Sequence, residues 1–313
     1  MDSLFFFRYK LKKTSVKSEK RLFYIIMDDG SLNSAKPPPA LNMTEGGNIS
    51  VCTWNINSIN ARLPVLSGYL QDKKPDIVML QEIKTENDSF PSLEINGLGY
   101  HFIVQGQKSY NGVAILSKHE IELEYDALPD APDNGEQTRY LEVRCPDLKS
   151  KFICVYVPNG EPPANAPESR ERLEYKTAWL DALTARTDFL MKQDTPFIVG
   201  GDFNVIEYDD DVYNPASFEN SAFTVLPVRQ RFRAFYYTGL TNALRQKQKT
   251  RPLYSYWDYR AGAWKKNNGI LLDHLFLSPH WADRLETAEV DTGVRGAEKA
   301  SDHAPVRCEL SLQ

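Results

Sequence analysis

Polar side chains stand at the ends of apolar runs of the sequence at five places where packing alone does not require them. The runs and the polar residues after them are ISVCTW with Asn55 and Asn57, DIVML with Gln81 and Glu82, FICV with Tyr156, PFIVGG with Asp202 and Asn204, and, just before the last apolar run, Asp302 with His303. Catalytic groups are commonly mounted on loops at the ends of rigid elements. One polar run end is unremarkable, but five indicate a shared site.

The segment GGDFNV places two potential catalytic side chains after a buried run. Gly200 and Gly201 let the backbone turn or approach another chain closely, and Asp202 and Asn204 then project from the same side of an extended segment. The alternative is a plain turn, since Asp and Asn after Gly-Gly also favour one. Glu82 in LQEIK has a similar alternative as a solvated strand end.

An aspartate and a histidine stand side by side near the C-terminus. The Asp302 carboxylate can hold charge or a metal while the His303 ring meets a phosphoryl oxygen. The alternative is a surface histidine whose hydrogen bonds are satisfied.

The chemistry of the whole set is that of hard oxygen ligands. The chain contains no cysteine and histidine metal cluster, no GxSxG segment and no GxxxxGK[ST] phosphate loop. Carboxylate and amide oxygens suit Mg²⁺, which usually binds one or two carboxylates together with substrate phosphate oxygens. The inventory therefore points to metal-assisted attack of water on a phosphoester.

Composition limits the alternatives. The chain has 313 residues, of which 42% are hydrophobic, so it can bury a large core, but no apolar run approaches the ~20 residues that span a bilayer. We expect a soluble protein without a membrane partner. The net charge of −5 gives no global reason to expect nucleic acid, so any such binding needs a local basic face. The four cysteines lie in strand-like runs and are predicted to be buried thiols in a reducing compartment.

The first 46 residues differ from the rest. They combine a basic segment with the stretch SLNSAKPPPALNMTEGG and are predicted to be a disordered extension, followed by one catalytic domain at residues 47–313. A transit peptide is one alternative, and translation starting at Met27 or Met43 is another.

Strand-like and helical patterns alternate after residue 47. Pro64 is predicted to open one helix, and the leucine spacing between Arg170 and Lys192 predicts a second, amphipathic helix. Eight runs are predicted as strands, namely ISVCTW, DIVMLQ, GVAILS, YLEVRC, FICVYV, PFIVGG, ILLDHLFLS and PVRCELS. The mixture favours a single α/β or α+β domain.

Several segments together resemble the exonuclease III family of apurinic/apyrimidinic endonucleases, within the endonuclease/exonuclease/phosphatase superfamily. They are WNINSINAR, LQEIKT, GQKSYNGVAILSK, VYVPNGE, GGDFNV, SYWDYRAGAWKKNNGILLDHLFLS and EKASDHAPV, and the resemblance covers residues 48–312. It implies a DNase I-like four-layer sandwich, in which two mixed β-sheets pack face to face between helices. It also implies a DNA-repair nuclease that cuts 5′ to abasic sites, with 3′–5′ exonuclease and 3′-end-trimming activity.

The resemblance assigns the metal and catalytic residues. Glu82 matches the principal Mg²⁺ ligand, with Mn²⁺ able to replace the ion, and the other predicted members of the metal site are Asn55, Asp302 and Asp202. Tyr156 matches a residue that contacts the phosphate or assists the leaving group. Asp202 matches one that orients or deprotonates the attacking water, and Asn204 one that fixes Asp202 by hydrogen bonding. His303 matches the residue that contacts the phosphate, and Asp273 the partner of its imidazole. His274 is expected to point to the opposite face of its strand.

The resemblance also implies where DNA would bind. A pocket for a flipped-out abasic sugar is expected around Tyr256, Trp257, Ile270 and Leu272, with ordinary core as the alternative, above all for Trp257. Backbone contacts are expected from Arg62, Lys84, Lys108, Asn111 and the pair Lys265 and Lys266. Asn57, a lesser candidate beside the metal site, is expected to contact the substrate. The expected partner is double-stranded DNA with abasic sites or blocked 3′ ends. The protein is expected to be a monomer. The expected location is the bacterial cytoplasm, at the nucleoid, or a mitochondrion or nucleus if the extension is a targeting segment.

One position departs from the family pattern, and other functions stay open. Leu271 stands where relatives commonly carry arginine, which puts a salt-linked contact there in doubt. A non-specific nuclease or a lipid or inositol phosphoesterase is the alternative enzyme. A non-catalytic DNA-binding scaffold is the alternative of another class, but it predicts a missing member of the metal and water set, and none is missing.

Overall fold

The computed structural model describes residues 47–162, 166–167 and 169–313. The predicted extension, residues 1–46, lies outside the described residues. Among those that are described, no helix combines the length and apolar character needed to cross a membrane. All four cysteines are buried free thiols, as predicted.

The described residues form two six-stranded mixed sheets. Sheet one has the order β11-β12-β1-β2-β4-β3, and sheet two the order β5-β6-β7-β8-β10-β9. In sheet one, β1 runs parallel to β2, and in sheet two, β7 runs parallel to β8; the other pairs are antiparallel. The strands are β1 Asn48–Asn55, β2 Ile77–Gln81, β3 His101–Gln105, β4 Val113–Ser117, β5 Glu122–Tyr125, β6 Tyr140–Cys145, β7 Ser150–Tyr156, β8 Phe197–Asp202, β9 Thr241–Asn242, β10 Asp273–Leu277, β11 Leu285–Val290 and β12 Val306–Ser311.

Helices cover the outer face of each sheet. On sheet one, Leu66 and Leu70 of α1 pack with Cys52 and Val78, while on sheet two α3 and α4 cover the outer face. The helices are α1 Ile59–Lys73, α2 Ser92–Gly97, α3 Glu171–Lys192, α4 Leu226–Tyr236, α5 Ala243–Lys247, α6 Ala263–Lys266 and α7 Pro279–Ala282. The predicted four-layer sandwich is confirmed.

Alternate residues of each strand enter different cores. On β7, Phe152 and Cys154 join the core between the sheets, whereas Ile153 and Val155 face α3 and α4. This period of two is that of a β-strand. Since both faces are covered, central strands such as Ile77–Gln81 are buried at every position, which explains their continuous apolar runs.

The eight strands predicted from sequence are the interior strands, and the four others are the sheet edges β3, β5, β9 and β11. Edge strands are half-exposed or short: β5 is mostly exposed, and β9 has two residues. They lack the long apolar runs on which the prediction depended. The predicted helix at Pro64 begins earlier, at Ile59, so Pro64 lies inside it and was wrongly taken as its first residue.

Gly200 and Gly201 both lie within β8, so they do not form a turn but allow the strand to pack closely on its neighbours. A methyl group at Gly200 would lie 2.5 Å from Met79 Cε of the facing sheet, and one at Gly201 would lie 1.9 Å from the Val155 carbonyl oxygen. The absence of side chains there lets the strand that ends in Asp202 pack tightly on its neighbours.

Gly201→Ala is expected to lower the free energy of unfolding by about 1–3 kcal/mol, because the methyl group overlaps a backbone oxygen. Urea denaturation measures the change. Gly68→Ala is the matched control, since no atom lies within 4 Å of a methyl group there and helix α1 should gain about 0.5–1 kcal/mol. A Gly201→Ala protein as stable as the parent would show that the close approach is not a constraint.

Candidate active site

The predicted catalytic residues meet where four strands end. Asn55, Tyr156 and Asp202 are the last residues of β1, β7 and β8, and Glu82 directly follows β2. Asp273 opens antiparallel β10 directly opposite Asp202. Because β1 and β2 are parallel, as are β7 and β8, each sheet delivers two carboxyl ends to the same place.

The Asn55 amide joins the two sheets. Its Nδ2 donates to Glu82 Oε1 at 2.9 Å and to Asp202 Oδ2 at 3.0 Å, and its Oδ1 accepts from the Asn57 backbone at 3.1 Å. The side chain is fully buried. Asn55 thus orients two carboxylates through its N–H groups, and in this arrangement its oxygen faces the chain and not a ligand.

Tyr156 completes the setting of Glu82. Its hydroxyl donates to Glu82 Oε1 at 2.7 Å, and the Arg139 guanidinium lies 4.6 Å from the centre of its ring. Burial raises the pKa of Tyr156 well above its ordinary value, and the carboxylates of Glu82 and Asp202 add to the shift. The phenol therefore stays protonated and acts as a donor.

Asp202 is fixed by its own turn. The Asn204 backbone N–H donates to Asp202 Oδ1 at 2.9 Å, while the Asn204 side chain donates to the Val157 carbonyl at 2.9 Å. Asn204 has a left-handed backbone, with φ of 51°. Its main chain, and not the predicted side chain, therefore holds the aspartate.

A buried histidine pairs with two aspartates. His303 Nδ1 lies 2.8 Å from Asp273 Oδ2, and its Nε2 lies 3.8 Å from Asp202 Oδ2. Ser255 fixes Asp273 with a hydroxyl donated at 2.6 Å. The His303 and Tyr256 rings pack in a T-shaped pair, with ring centres 4.9 Å apart. The structure thus contains the histidine–aspartate contact expected from the resemblance, and its role in turnover stays a prediction.

The charged groups of the site form two sets, one of His303 with Asp202 and Asp273 and one of Glu82 with Lys84. Burial alone would lower the pKa of His303, but Asp273 and Asp202 raise it to about 10, so the ring is protonated at neutral pH. Burial raises the pKa of Asp202; His303 opposes the shift and Asp273 adds to it. Burial also opposes the Glu82 carboxylate, but Lys84 outweighs it and holds the pKa of Glu82 below its ordinary value.

A chain of contacts connects Glu82 and Asp302, two of the three carboxylates predicted to bind metal. Lys84 Nζ lies 2.7 Å from Glu82 Oε2 and donates to Asn57 Oδ1 at 2.6 Å, while Asn57 Nδ2 donates to Asp302 Oδ1 at 2.9 Å. Asn57, Glu82 and Lys84 all have left-handed backbones. Such conformations cost free energy in residues other than glycine and are concentrated at functional sites.

This donor set fits a hard divalent cation. Glu82 and Asp302 both line one cavity and offer carboxylate oxygens, which are the ligands that a hard divalent cation prefers. A second, tighter group consists of Asp202, Asp273 and His303, with candidate ligand atoms within 4.8 Å of one another. Since the imidazole there is bonded to an aspartate, that group suits a shared proton better than an ion.

The cavity beside these residues has a volume of about 710 Å³. Of the four residues expected to line a sugar pocket, Tyr256, Ile270 and Leu272 lie on its wall. Trp257 instead packs with Ala263 and Ala304, and its indole donates to Asn267 at 3.0 Å, so its alternative as core is the better description. Sequence reasoning did not identify three further aromatic members of the wall, Tyr213, Phe218 and Phe223.

The other predicted DNA contacts lie apart from this cavity. Arg62 donates to the Tyr259 hydroxyl at 2.9 Å, and Lys108 is exposed. Asn111 lines a second cavity of about 440 Å³, together with Arg139 and Arg172. Leu271, at the position that departs from the family pattern, belongs to the core between the sheets. His274 faces away from the site, as predicted, and bonds to Asn242 at 3.1 Å.

Residues 52–303 match the model of the endonuclease/exonuclease/phosphatase family. Among curated proteins, the chain is similar to exodeoxyribonuclease III of Haemophilus influenzae, with 28% identity over 266 residues that cover 82% of this chain and 98% of that protein.

Two solved structures share both fold and sequence. The 3′ phosphatase NExo from Neisseria, bound to a product DNA hairpin, is 34% identical with a TM-score of 0.76, over 84% of this chain and 99% of that one. An AP endonuclease from Archaeoglobus fulgidus is 30% identical with a TM-score of 0.76, over 83% and 98%.

Asp273→Asn is expected to lower the pKa of His303 from about 10, because Asp273 is the main group that favours the imidazolium. Since the pKa is raised in the folded state, its contribution to stability is complete below the ordinary value near 6.5 and is lost as the pH rises through about 10. The variant should lose this contribution. NMR titration of the imidazole in metal-free buffer measures the pKa directly.

His274 provides an internal control in the same spectrum. Burial holds its pKa well below the ordinary value, with Arg245 and Arg251 adding to the shift, so it should stay neutral in both proteins. An unchanged His303 titration in Asp273→Asn would contradict the assignment of Asp273 as its partner.

Proposed function

Because the chain belongs to the endonuclease/exonuclease/phosphatase family and is a hydrolytic DNA-repair nuclease of the exonuclease III type, we propose that it cleaves the phosphodiester bond 5′ to abasic sites in duplex DNA. We further propose 3′–5′ exonuclease and 3′-end-trimming activity at the same site, with Mg²⁺ as the ion. The relatives named exodeoxyribonuclease III, 3′ phosphatase and AP endonuclease support this range of substrates.

The observation that carries the proposal is the pairing of Asp202 with His303, whose ring is held by Asp273. Their side chains lie 3.8 Å apart and both face the large cavity. Asp202, whose pKa is raised, would orient the attacking water and accept its proton. His303 would donate from Nε2 to a non-bridging phosphate oxygen, where negative charge grows in the transition state. Asp273 keeps the imidazole charged and aimed.

Glu82 and Asp302 would hold the divalent ion, with Asn55 and Asn57 orienting them. When bound, the ion would supply positive charge that offsets the negative charge growing in the transition state. Tyr156, which already donates to Glu82, would contact the phosphate or assist the leaving group. The product would be a 3′-hydroxyl end.

The cavity wall supports an abasic substrate. Tyr256, Ile270 and Leu272, with Phe218 and Phe223, form an apolar surface beside the catalytic groups. A deoxyribose that lacks its base is small and has little to clash with such a wall. A lipid or inositol phosphoesterase would share the carboxylates and the histidine. Comparing the hydrolysis of abasic DNA with that of sphingomyelin and inositol phosphates therefore distinguishes these functions.

We expect purified protein to incise a duplex with one abasic site when Mg²⁺ is present and not when EDTA replaces it. Denaturing gels with end-labelled strands identify the cut 5′ to the lesion and the 3′-hydroxyl. An undamaged duplex, sphingomyelin and inositol phosphates are the comparison substrates. Preferential hydrolysis of either of the last two would overturn the proposed function.

Asp202→Asn should fold normally and lose turnover by a factor of about 10³ or more, because the amide keeps the shape but cannot accept the proton. Rates at saturating DNA and thermal melting are measured together. His274→Asn is a control, since this buried histidine faces away from the cavity and should keep its turnover. Near-normal turnover by Asp202→Asn would remove Asp202 from its role.

A further inference from the structure

A fully buried lysine lies directly behind the catalytic turn. Lys176 is on α3, is 0% exposed and shares its helix face with the core residues Trp179, Leu180 and Leu183. Its Nζ donates to three backbone carbonyl oxygens, those of Asn159 at 2.9 Å, Asn204 at 2.5 Å and Ala222 at 2.9 Å. The resemblance and the sequence patterns gave this residue no role.

The three carbonyl acceptors around Lys176 Nζ match the protonated form of the side chain. An ammonium has three N–H donors and a neutral amine has two, so all three carbonyls are satisfied only when Lys176 is charged. Burial lowers the pKa of Lys176 to about 7, while Asp202 and Glu161 favour the charge. An isolated buried charge is expensive, and packing on α3 would be served as well by methionine.

The three carbonyls belong to three different segments of the site. Asn159 follows β7 and lines both cavities, Asn204 forms the turn that fixes Asp202, and Ala222 precedes the wall residue Phe223. The Phe223 ring centre lies 5.1 Å from the ammonium. The Lys176 ammonium therefore fixes three parts of the site relative to α3. They are the turn that holds Asp202, the segment after β7 and one wall of the cavity.

The surrounding chain is adapted to the lysine stem. Gly160 has a φ of +86°, and a methyl group there would lie 2.6 Å from Lys176 Cδ and 3.2 Å from Ala222 Cβ. The Glu161 carboxylate accepts the Ala222 backbone N–H at 2.7 Å and so joins two of the three segments a second time.

We propose that Lys176 is a positioning residue for hydrolysis, which holds the left-handed turn at Asn204, and through it Asp202, at the distance from His303 that turnover requires. The inference rests on the proposed function, because it assumes that Asp202 acts on the water. It predicts that the loss of Lys176 lowers the rate of the chemical step more than it weakens DNA binding.

The test compares Lys176→Met with the parent at saturating DNA. A turnover at least roughly tenfold lower is expected, with the KM changed by less than about threefold, because small displacements of a catalytic group reduce rates steeply. Lys176→Arg restores a buried cation with several donors and should recover part of the turnover. Lys176→Gln, with two donors, should fall between Arg and Met.

Arg186→Met is the matched control, on the same helix and also buried. Arg186 makes a bidentate pair with Glu142 at 2.7 and 2.9 Å, away from the site. It should lose stability, as breaking a buried pair does, and keep its turnover per folded molecule. The folded fraction of every variant is measured by circular dichroism at the assay temperature. If Lys176→Met is unfolded, the turnover of Lys176→Arg and Lys176→Gln tests the inference instead.

Equal turnover per folded molecule across the Lys176 variants would overturn the inference and leave Lys176 with a structural role only. A loss confined to the KM would overturn it too. Rates are measured on whichever DNA the parent protein cleaves, whether an abasic duplex or a 3′-phosphate end. A parent that cleaves neither would refute the proposed function itself, so the two failures are distinguishable.

Discussion

The site depends on one buried amide. Asn55 ends a strand of sheet one and donates both to Glu82 of its own sheet and to Asp202 of the other. An amide NH₂ has two protons, and each is used on a carboxylate. Two negative groups can therefore lie close together inside the protein, with the distance between the sheets fixed at the point where they meet. Gly200 of β8 makes that distance short, because a side chain there would meet Met79 of the facing sheet and push the sheets apart.

The charges around this amide are arranged in two sets, each with one cation and two carboxylates. The imidazolium of His303 lies between Asp273 and Asp202, and the ammonium of Lys84 lies between Glu82 and Asn57, which in turn holds Asp302. Each set has one more acid than cation, so each keeps a carboxylate that can take up a proton or a metal ion. The first set is suited to moving a proton and the second to binding a metal ion. Asn55 touches one carboxylate of each set.

Much of this arrangement could be predicted because the chemistry lies at the ends of interior strands. Runs such as DIVML and PFIVGG are apolar on both faces, so their polar ends are conspicuous in the sequence, and the resemblance then assigned roles to them. What the sequence could not show depends on distant pairing. Ser255 reaches Asp273 only because Tyr256 pairs with Ile270, and Glu82 and Lys84 adopt left-handed backbones that neither residue type favours. Trp257, for which the resemblance left pocket and core open, packs with Ala263 and Ala304, which are contacts that the sequence alone does not reveal.

The division between interior and edge strands has a consequence for how the domain tolerates change. Every residue assigned to catalysis or to metal binding lies outside β3, β5, β9 and β11. Strands at the rim of a sheet open first in local unfolding, because they have a neighbour on one side only. Fraying, insertions or sequence drift at the four rims can therefore proceed while the centre keeps its geometry. The domain can acquire new loops at its borders without altering the reaction at its middle.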